Sequence, residues 1–278
     1  MFLSILAITG FILMVFFTVS MWLLQQSYER EEAAAIRDNL TKCSRIADLS
    51  LEYMAQEARM LAGNAGIISS VVAPDHSRTD RSVAVMNLLG DVVKNSDLIS
   101  RAVLYVGFDR SVYSSDRAQT HVSTDQALMD LVSRYSPREL SEDGQILYMM
   151  DETAFVVQDV PLNGRKRLGT VVLQVDQQQL YRIVQDSSDG SYIVVLDKDG
   201  NMFLGDENIP GQAMDGILVM AAGKEDDPAV YRSESTGLVF LNWREGGQPL
   251  VRAIPRYSLL LLLAAVLGLL GIVYSAFV

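Results

Sequence analysis

The first 24 and the last 22 residues of this 278-residue chain contain no Asp, Glu, Lys or Arg, so all 23 basic and all 34 acidic side chains lie between Gln25 and Arg256. Few chains can partition charge this way and fold as a single water-soluble globule. A helix crosses a bilayer with about 20 apolar residues at ~1.5 Å each, and both uncharged ends reach that length. Residues 1–24 (MFLSILAITGFILMVFFTVSMWLL) exceed the ~7–15-residue apolar core of a cleaved signal peptide. They also lack a basic start, and they end in Met21-Trp22-Leu23-Leu24 instead of a small-residue cleavage site. An uncleaved transmembrane helix is therefore expected over 1–24, and a second over 257–278. The second span coincides with the end of the sequence, which predicts further protein after Val278. The expected location is the cell membrane, multi-pass with two spans in contact with membrane lipid, and with residues 25–256 extracytoplasmic.

The uncharged ends raise the overall hydrophobic content to 49%, and the net charge of −11 belongs to the middle. A middle this acidic repels phosphates, which excludes nucleic acid as a partner of this part. Cys43 stands alone, so no intrachain disulfide is expected.

Residues 27–65 carry a helical pattern without proline. Ile36, Leu40, Cys43, Ala47, Leu51, Met54, Ala58, Leu61 and Ala65 recur in steps of three and four, the spacing of one face of a straight α-helix. This stripe packs on its own domain, serves as the seam of a homodimer, or does both. After a loop at Pro74-Asp75-His76-Ser77, a second helix is expected from Thr79 or Asp80, with Val83, Met86, Leu89 and Val93 inward. Strands follow at 101–106 and 111–114, then a capping box at Ser123-Thr124-Asp125-Gln126 that opens a helix. Strands at 146–150, 154–160 and 168–175 come next, the last two joined by a turn at Asn163-Gly164, and Asp176 caps a short helix over 177–184. A smaller block begins near residue 188. In it, Asp197-Lys198-Asp199-Gly200 reads as a hairpin turn between strands at 192–196 and 201–204. A helix at 213–222 and strands at 229–233, 238–243 and 250–254 complete the pattern. The fold class is α+β: a long helix, then two antiparallel-sheet units.

The chain carries no catalytic constellation. His76 and His121 stand apart in polar, loop-like stretches, and no spacing of His, Cys or carboxylates matches a metal site. The hairpin at Asp197 lacks the Glu that a calcium loop needs at its twelfth position, which is Asn208. No metal, no cofactor and no enzymatic activity are expected.

The order of parts resembles a bacterial double Cache sensor, in which two PAS-like units sit between two membrane spans. Three segments carry the resemblance: Gly169-Thr170-Val171-Val172-Leu173-Gln174-Val175-Asp176, Tyr192-Ile193-Val194-Val195-Leu196-Asp197-Lys198-Asp199-Gly200-Asn201-Met202, and Leu250-Val251-Arg252-Ala253-Ile254-Pro255. It implies a distal unit at 66–187, a proximal unit at 188–256 and a signalling helix at 25–65. Such modules are the input halves of sensor histidine kinases and membrane-bound AraC-type regulators. The resemblance further implies an unknown small extracellular ligand against the distal sheet. Its candidate wall is Tyr105 and Tyr113, with Arg101 or Arg110 nearby and Asp176 at the end of the late strand. Each has a structural alternative: Tyr105 as a packed sheet residue, Arg110 as a turn residue, Asp176 as a helix cap. The Arg-x-Trp-Tyr element of the amine-recognising subset is absent. The competing function is a membrane-anchored protein-interaction module with no small-molecule ligand.

Overall fold

A computed structural model describes residues 2–72, 78–107, 110–117, 120–123, 147–150, 153–160, 168–206 and 227–243. The chain divides into two units, one comprising Met1–Asp38 with Trp243–Val278, the other Asn39–Asn242.

In the first unit the uncharged run is helical, forming the start of α1 (Phe2–Gly63). Its large apolar side chains stand open where they are described: Phe16, Trp22 and Leu24 are 61–70% exposed. Among the described residues, no helix is long and apolar enough to cross a membrane. The side chains of 2–9 and 11–14, together with all of 257–278, lie outside the described residues, so both expected spans rest on sequence alone.

The second unit holds the folded core. Along α1 the predicted stripe is inward: Leu40, Cys43, Ala47, Leu51, Met54, Ala58 and Leu61 are each at most 5% exposed. The stripe frays at both ends, with Ile36 half-buried and Ala65 exposed. Ala65 no longer belongs to α1. The helix stops at Gly63, and Asn64 restarts the chain as α2 (Ala65–Val72), its Oδ1 accepting from the Gly66 amide at 2.8 Å. That side-chain acceptor satisfies an amide that a new helix start would leave orphaned. α3 (Arg78–Asn95) begins a residue or two earlier than expected. Its inward face is Val85, Leu89 and Val93, and the expected inward Val83 is 53% exposed. A Cβ at Gly90 would sit 3.4 Å from Ser115 Oγ, so the helix lies close on the sheet along this line.

The first sheet has six antiparallel strands: β1 (Ile99–Val106), β2 (Ser111–Asp116), β3 (Thr120–Ser123), β4 (Leu147–Met150), β5 (Thr153–Val160) and β6 (Gly169–Val175), in the order β3-β2-β1-β6-β5-β4. β3 was not expected. His121 and Ser123 therefore lie on a strand, not in a loop or at a helix start, and the expected helix after Ser123 lies outside the described residues. β5 and β6 pair as the hairpin reading requires, from Val160↔Gly169 inward. Glycine is needed at 169, because a Cβ would lie 2.6 Å from the Tyr105 carbonyl oxygen.

α4 (Gln177–Ser187) leads to the second sheet: β7 (Tyr192–Leu196), β8 (Met202–Leu204), β9 (Val230–Arg232) and β10 (Val239–Trp243), ordered β8-β7-β10-β9. Asp197, 7% exposed, builds the β7–β8 turn. Its Oδ1 accepts from the Asp199 and Asn201 amides at 2.9 and 2.8 Å, and its Oδ2 from Asn201 Nδ2 at 3.0 Å. Gly200 supplies the positive φ of 86° that this turn requires. The expected helix at 213–222 and strand at 250–254 lie outside the described residues.

Candidate functional site

The β1–β2 hairpin closes with Val106 opposite Ser111, which leaves four residues in the turn. Directly opposed residues share a sheet face, so an even-length loop puts odd positions of β1 together with even positions of β2. Tyr105 therefore faces with Val112, and Tyr113 with Leu104. The two candidate tyrosines point to opposite sides of the sheet.

One side belongs to the helices. Ser115 meets Gly90 of α3, and Gly169 meets Val71 of α2 at 3.2 Å from where a Cβ would stand. Tyr113 points to this side. It is fully buried, and its hydroxyl has no hydrogen-bond partner among the described residues.

The other side carries an apolar floor of Val103, Val112, Phe155 and Val172, each at most 6% exposed, against which half-buried Tyr105 and Val157 pack. Arg101 stands at one end of this floor. Its Nε donates to Ser114 Oγ at 2.7 Å, and its cross-strand neighbours are Asp116 and Gln174. Tyr105 stands at the opposite end beside Thr170, about 13 Å from Arg101 at ~3.3 Å per residue. This face thus holds a buried hydrophobic strip with a cation at one end and a phenol at the other. Ser114, Phe155 and Gln174 were missed in the sequence; the alternation Thr153, Phe155, Val157, Asp159 along β5 was the signal for the second of them.

Asp176 lies at the Arg101 end, where its amide donates to the Leu98 carbonyl at 2.8 Å. Both carboxylate oxygens are engaged. Oδ1 accepts from the Gln179 amide at 3.0 Å as the N-cap of α4, and Oδ2 pairs with Arg117 Nη1 at 3.2 Å. Arg117 also donates to the Asp97 carbonyl, tying the end of β2 to the start of β1. Arg110 lies at the far end of the hairpin, exposed and with φ at +54°, a left-handed turn position. The fold therefore gathers Arg101, Arg117 and Asp176 at one end of the sheet and leaves Arg110 away from them.

No family model matches this sequence, and no curated protein does. Solved structures do. The sensory domain of the Campylobacter jejuni chemoreceptor Tlp3, with isoleucine bound, superposes with a TM-score of 0.54 at 9% identity, covering 80% of this chain and 96% of that one. A domain of a sensory box/GGDEF family protein from Vibrio parahaemolyticus matches at 0.52 and 10% identity, covering 78% and 97%. The extracellular domain of the histidine kinase vpHK1S-Z8 matches at 0.50 and 9%, covering 76% and 93%. The fold is that of bacterial sensor domains.

In this sensor fold two joints connect the first sheet, α1 and the second sheet. Gln177, the first residue of α4, accepts from the Ala154 amide of β5 at 3.3 Å and donates to the Phe203 carbonyl of β8 at 2.8 Å. Asp48 of α1 reaches the turn between β9 and β10. Ser233 Oγ donates to its two oxygens at 3.0 and 2.9 Å, Thr236 Oγ1 to Oδ1 at 2.8 Å, and Ser44 Oγ to Oδ2 at 3.3 Å. Earlier in α1, Cys43 is fully buried with Sγ 3.7 Å from the Val184 carbonyl of α4. Burial, with a smaller contribution from Asp189 against the opposing effect of Lys42, pushes this thiol up to about 11. At pH 8 the thiol then outnumbers the thiolate by roughly 1,000-fold. Since the thiolate is the nucleophile, Cys43 should resist iodoacetamide at pH 8 in the native protein and react promptly in urea. Fast native labelling, read by intact mass, would contradict this packing.

Proposed function

We propose that the chain is the extracytoplasmic ligand-sensing part of a bacterial transmembrane receptor of the double Cache type. The ligand lies on the face of the first sheet opposite α2 and α3. The observation that supports this most directly is Arg101 at the end of an apolar floor, within a fold shared with the Tlp3 sensory domain. A guanidinium over a hydrophobic strip suits a small carboxylate with an aliphatic or aromatic body. Tyr105 closes the strip from the other end. Asp176 holds the frame through its cap and its pair with Arg117, and Tyr113 packs beneath the sheet.

The uncharged runs 1–24 and 257–278 act as membrane spans in this reading, and the exposed Phe16, Trp22 and Leu24 meet lipid. Leu49, Tyr53 and Met60, 41–64% exposed and spaced by four and seven residues along α1, form the seam of a homodimer. Ligand binding biases two arrangements of α1, by an amount equal to its differential affinity for them.

The test is a thermal-shift series on the full chain in detergent with L-amino acids and two- to five-carbon organic acids. At least one should raise the melting temperature in proportion to the logarithm of its concentration. A flat response across the series, with tight binding of an extracytoplasmic protein instead, would move the chain to the interaction-module reading. A phosphatase reporter fused after Met150 should be active outside the cytoplasm.

A further inference from the structure

A concave site lies away from the sheet face that holds Arg101. It is a groove of about 370 Å³ between α1 and the β9–β10 turn, lined by Thr41, Arg45, Asp48, Glu52, Tyr231 and Ser235 among others. Its size falls within the usual ~300–1,000 Å³ of small-molecule sites. Its charges oppose each other. Arg45 has no hydrogen bond or ion pair among the described residues, and it faces a groove that also holds two carboxylates. One of these, Glu52, is paired with Arg59, and the other, Asp48, accepts from three hydroxyls. An anionic ligand would meet Asp48 and Glu52, and a cationic one would meet Arg45, so a net charge of either sign is penalised. What remains favourable is a molecule of zero net charge that both donates and accepts. An uncharged polyol makes these contacts without the cost of desolvating two ionised groups that a zwitterion carries. Arg45 supplies donors, Glu52 and Asp48 supply acceptors, and the Ser235 and Tyr231 hydroxyls supply both. The Tyr231 ring adds an apolar face for C–H groups.

We propose that this groove binds a neutral carbohydrate, a mono- or disaccharide, with a pyranose face against Tyr231 and its hydroxyls shared between Arg45 and the acidic side. The occupant touches α1 and the turn that Asp48 holds to it, so sugar binding stabilises that joint. The site shares no residue with the Arg101 face.

Isothermal titration of the full chain in nanodiscs with glucose, galactose, N-acetylglucosamine, maltose and sucrose tests this. At least one sugar should bind saturably. Tyr231→Ala should weaken that sugar by at least about tenfold, a lower bound set by the ~1.4 kcal/mol of one lost ring contact. Arg45→Gln, a change on an exposed helix position that leaves the sheet untouched, should weaken it as well, and Arg101→Ala should leave it unchanged. The proposal is overturned by a panel with no binder, or by sugar binding that survives both groove variants or follows Arg101. Loss of sugar binding alone leaves the carboxylate response of the sheet face intact, so the two readings fail separately.

Discussion

Asp48→Ala is expected to lower the stability of the Asn39–Asn242 unit by about 3 kcal/mol. The carboxylate accepts from Ser44, Ser233 and Thr236, and hydrogen bonds to a charged acceptor contribute roughly 1.5–3 kcal/mol each before overlap among them is discounted. Ser233 is 2% exposed, so its hydroxyl cannot turn to bulk water once the acceptor is gone. Part of the loss is softened by Ser235, whose Oγ lies 3.1 Å from Ser233 Oγ. Asp48→Asn keeps one acceptor oxygen and should lose about a third as much, roughly 1 kcal/mol. Ser44→Ala removes the longest of the contacts, at 3.3 Å, and should fall below that. Urea unfolding reads all three as changes in midpoint at constant slope. A shift under about 1 kcal/mol for Asp48→Ala would show that the long-range contact between α1 and the second sheet is geometric and carries little energy.

How much of this was legible in the sequence divides along a physical line. Helix and strand periodicity is local, so the α1 stripe from Leu40 to Leu61 and the strands β1, β2, β5, β6, β7 and β10 could be read from spacing alone. The Asp176 cap was equally local, since a side chain bonding to the amide three residues on needs only its own turn. Facing was not. Tyr105 and Tyr113 both sit on early strands, and only the length of the loop between them decides that they lie on opposite faces. The strand bounds 101–106 and 111–114 held that length, but placing Ser114 on the Arg101 face also needs the cross-strand register. The helix break at Asn64 was hidden because Ala65 continued the stripe numerically, although its capping contact to Gly66 ends the register. β3 escaped notice because Thr120, His121 and Ser123 are polar and pair only with β2 at the sheet edge. The long-range contacts of Asp48 and Gln177 leave no trace in spacing, because their partners lie far away along the chain.

The same register sets the largest expected effect on binding. Arg101→Gln should weaken the carboxylate ligand of the sheet face by about 100-fold, the loss of one charge-assisted contact at ~2.7 kcal/mol. Arg110→Gln should leave affinity unchanged, since Arg110 sits in the exposed hairpin turn at the other end of β1. Tyr105→Ala removes the half-buried ring that packs on the floor and should weaken binding roughly tenfold. Tyr113→Phe removes only a hydroxyl that has no partner among the described residues, and it should leave both affinity and fold intact or slightly more stable. Asp176→Asn separates frame from contact. It keeps an acceptor for the Gln179 amide but loses the charge that holds Arg117, so it should loosen the β1–β2 end and reduce stability more than it changes ligand selectivity. Titration calorimetry of the five variants with one carboxylate decides the arrangement. If Arg110→Gln abolishes binding while Arg101→Gln does not, the ligand sits at the hairpin end and the polarity of the site is the reverse of the one argued from Ser114 and Gln174.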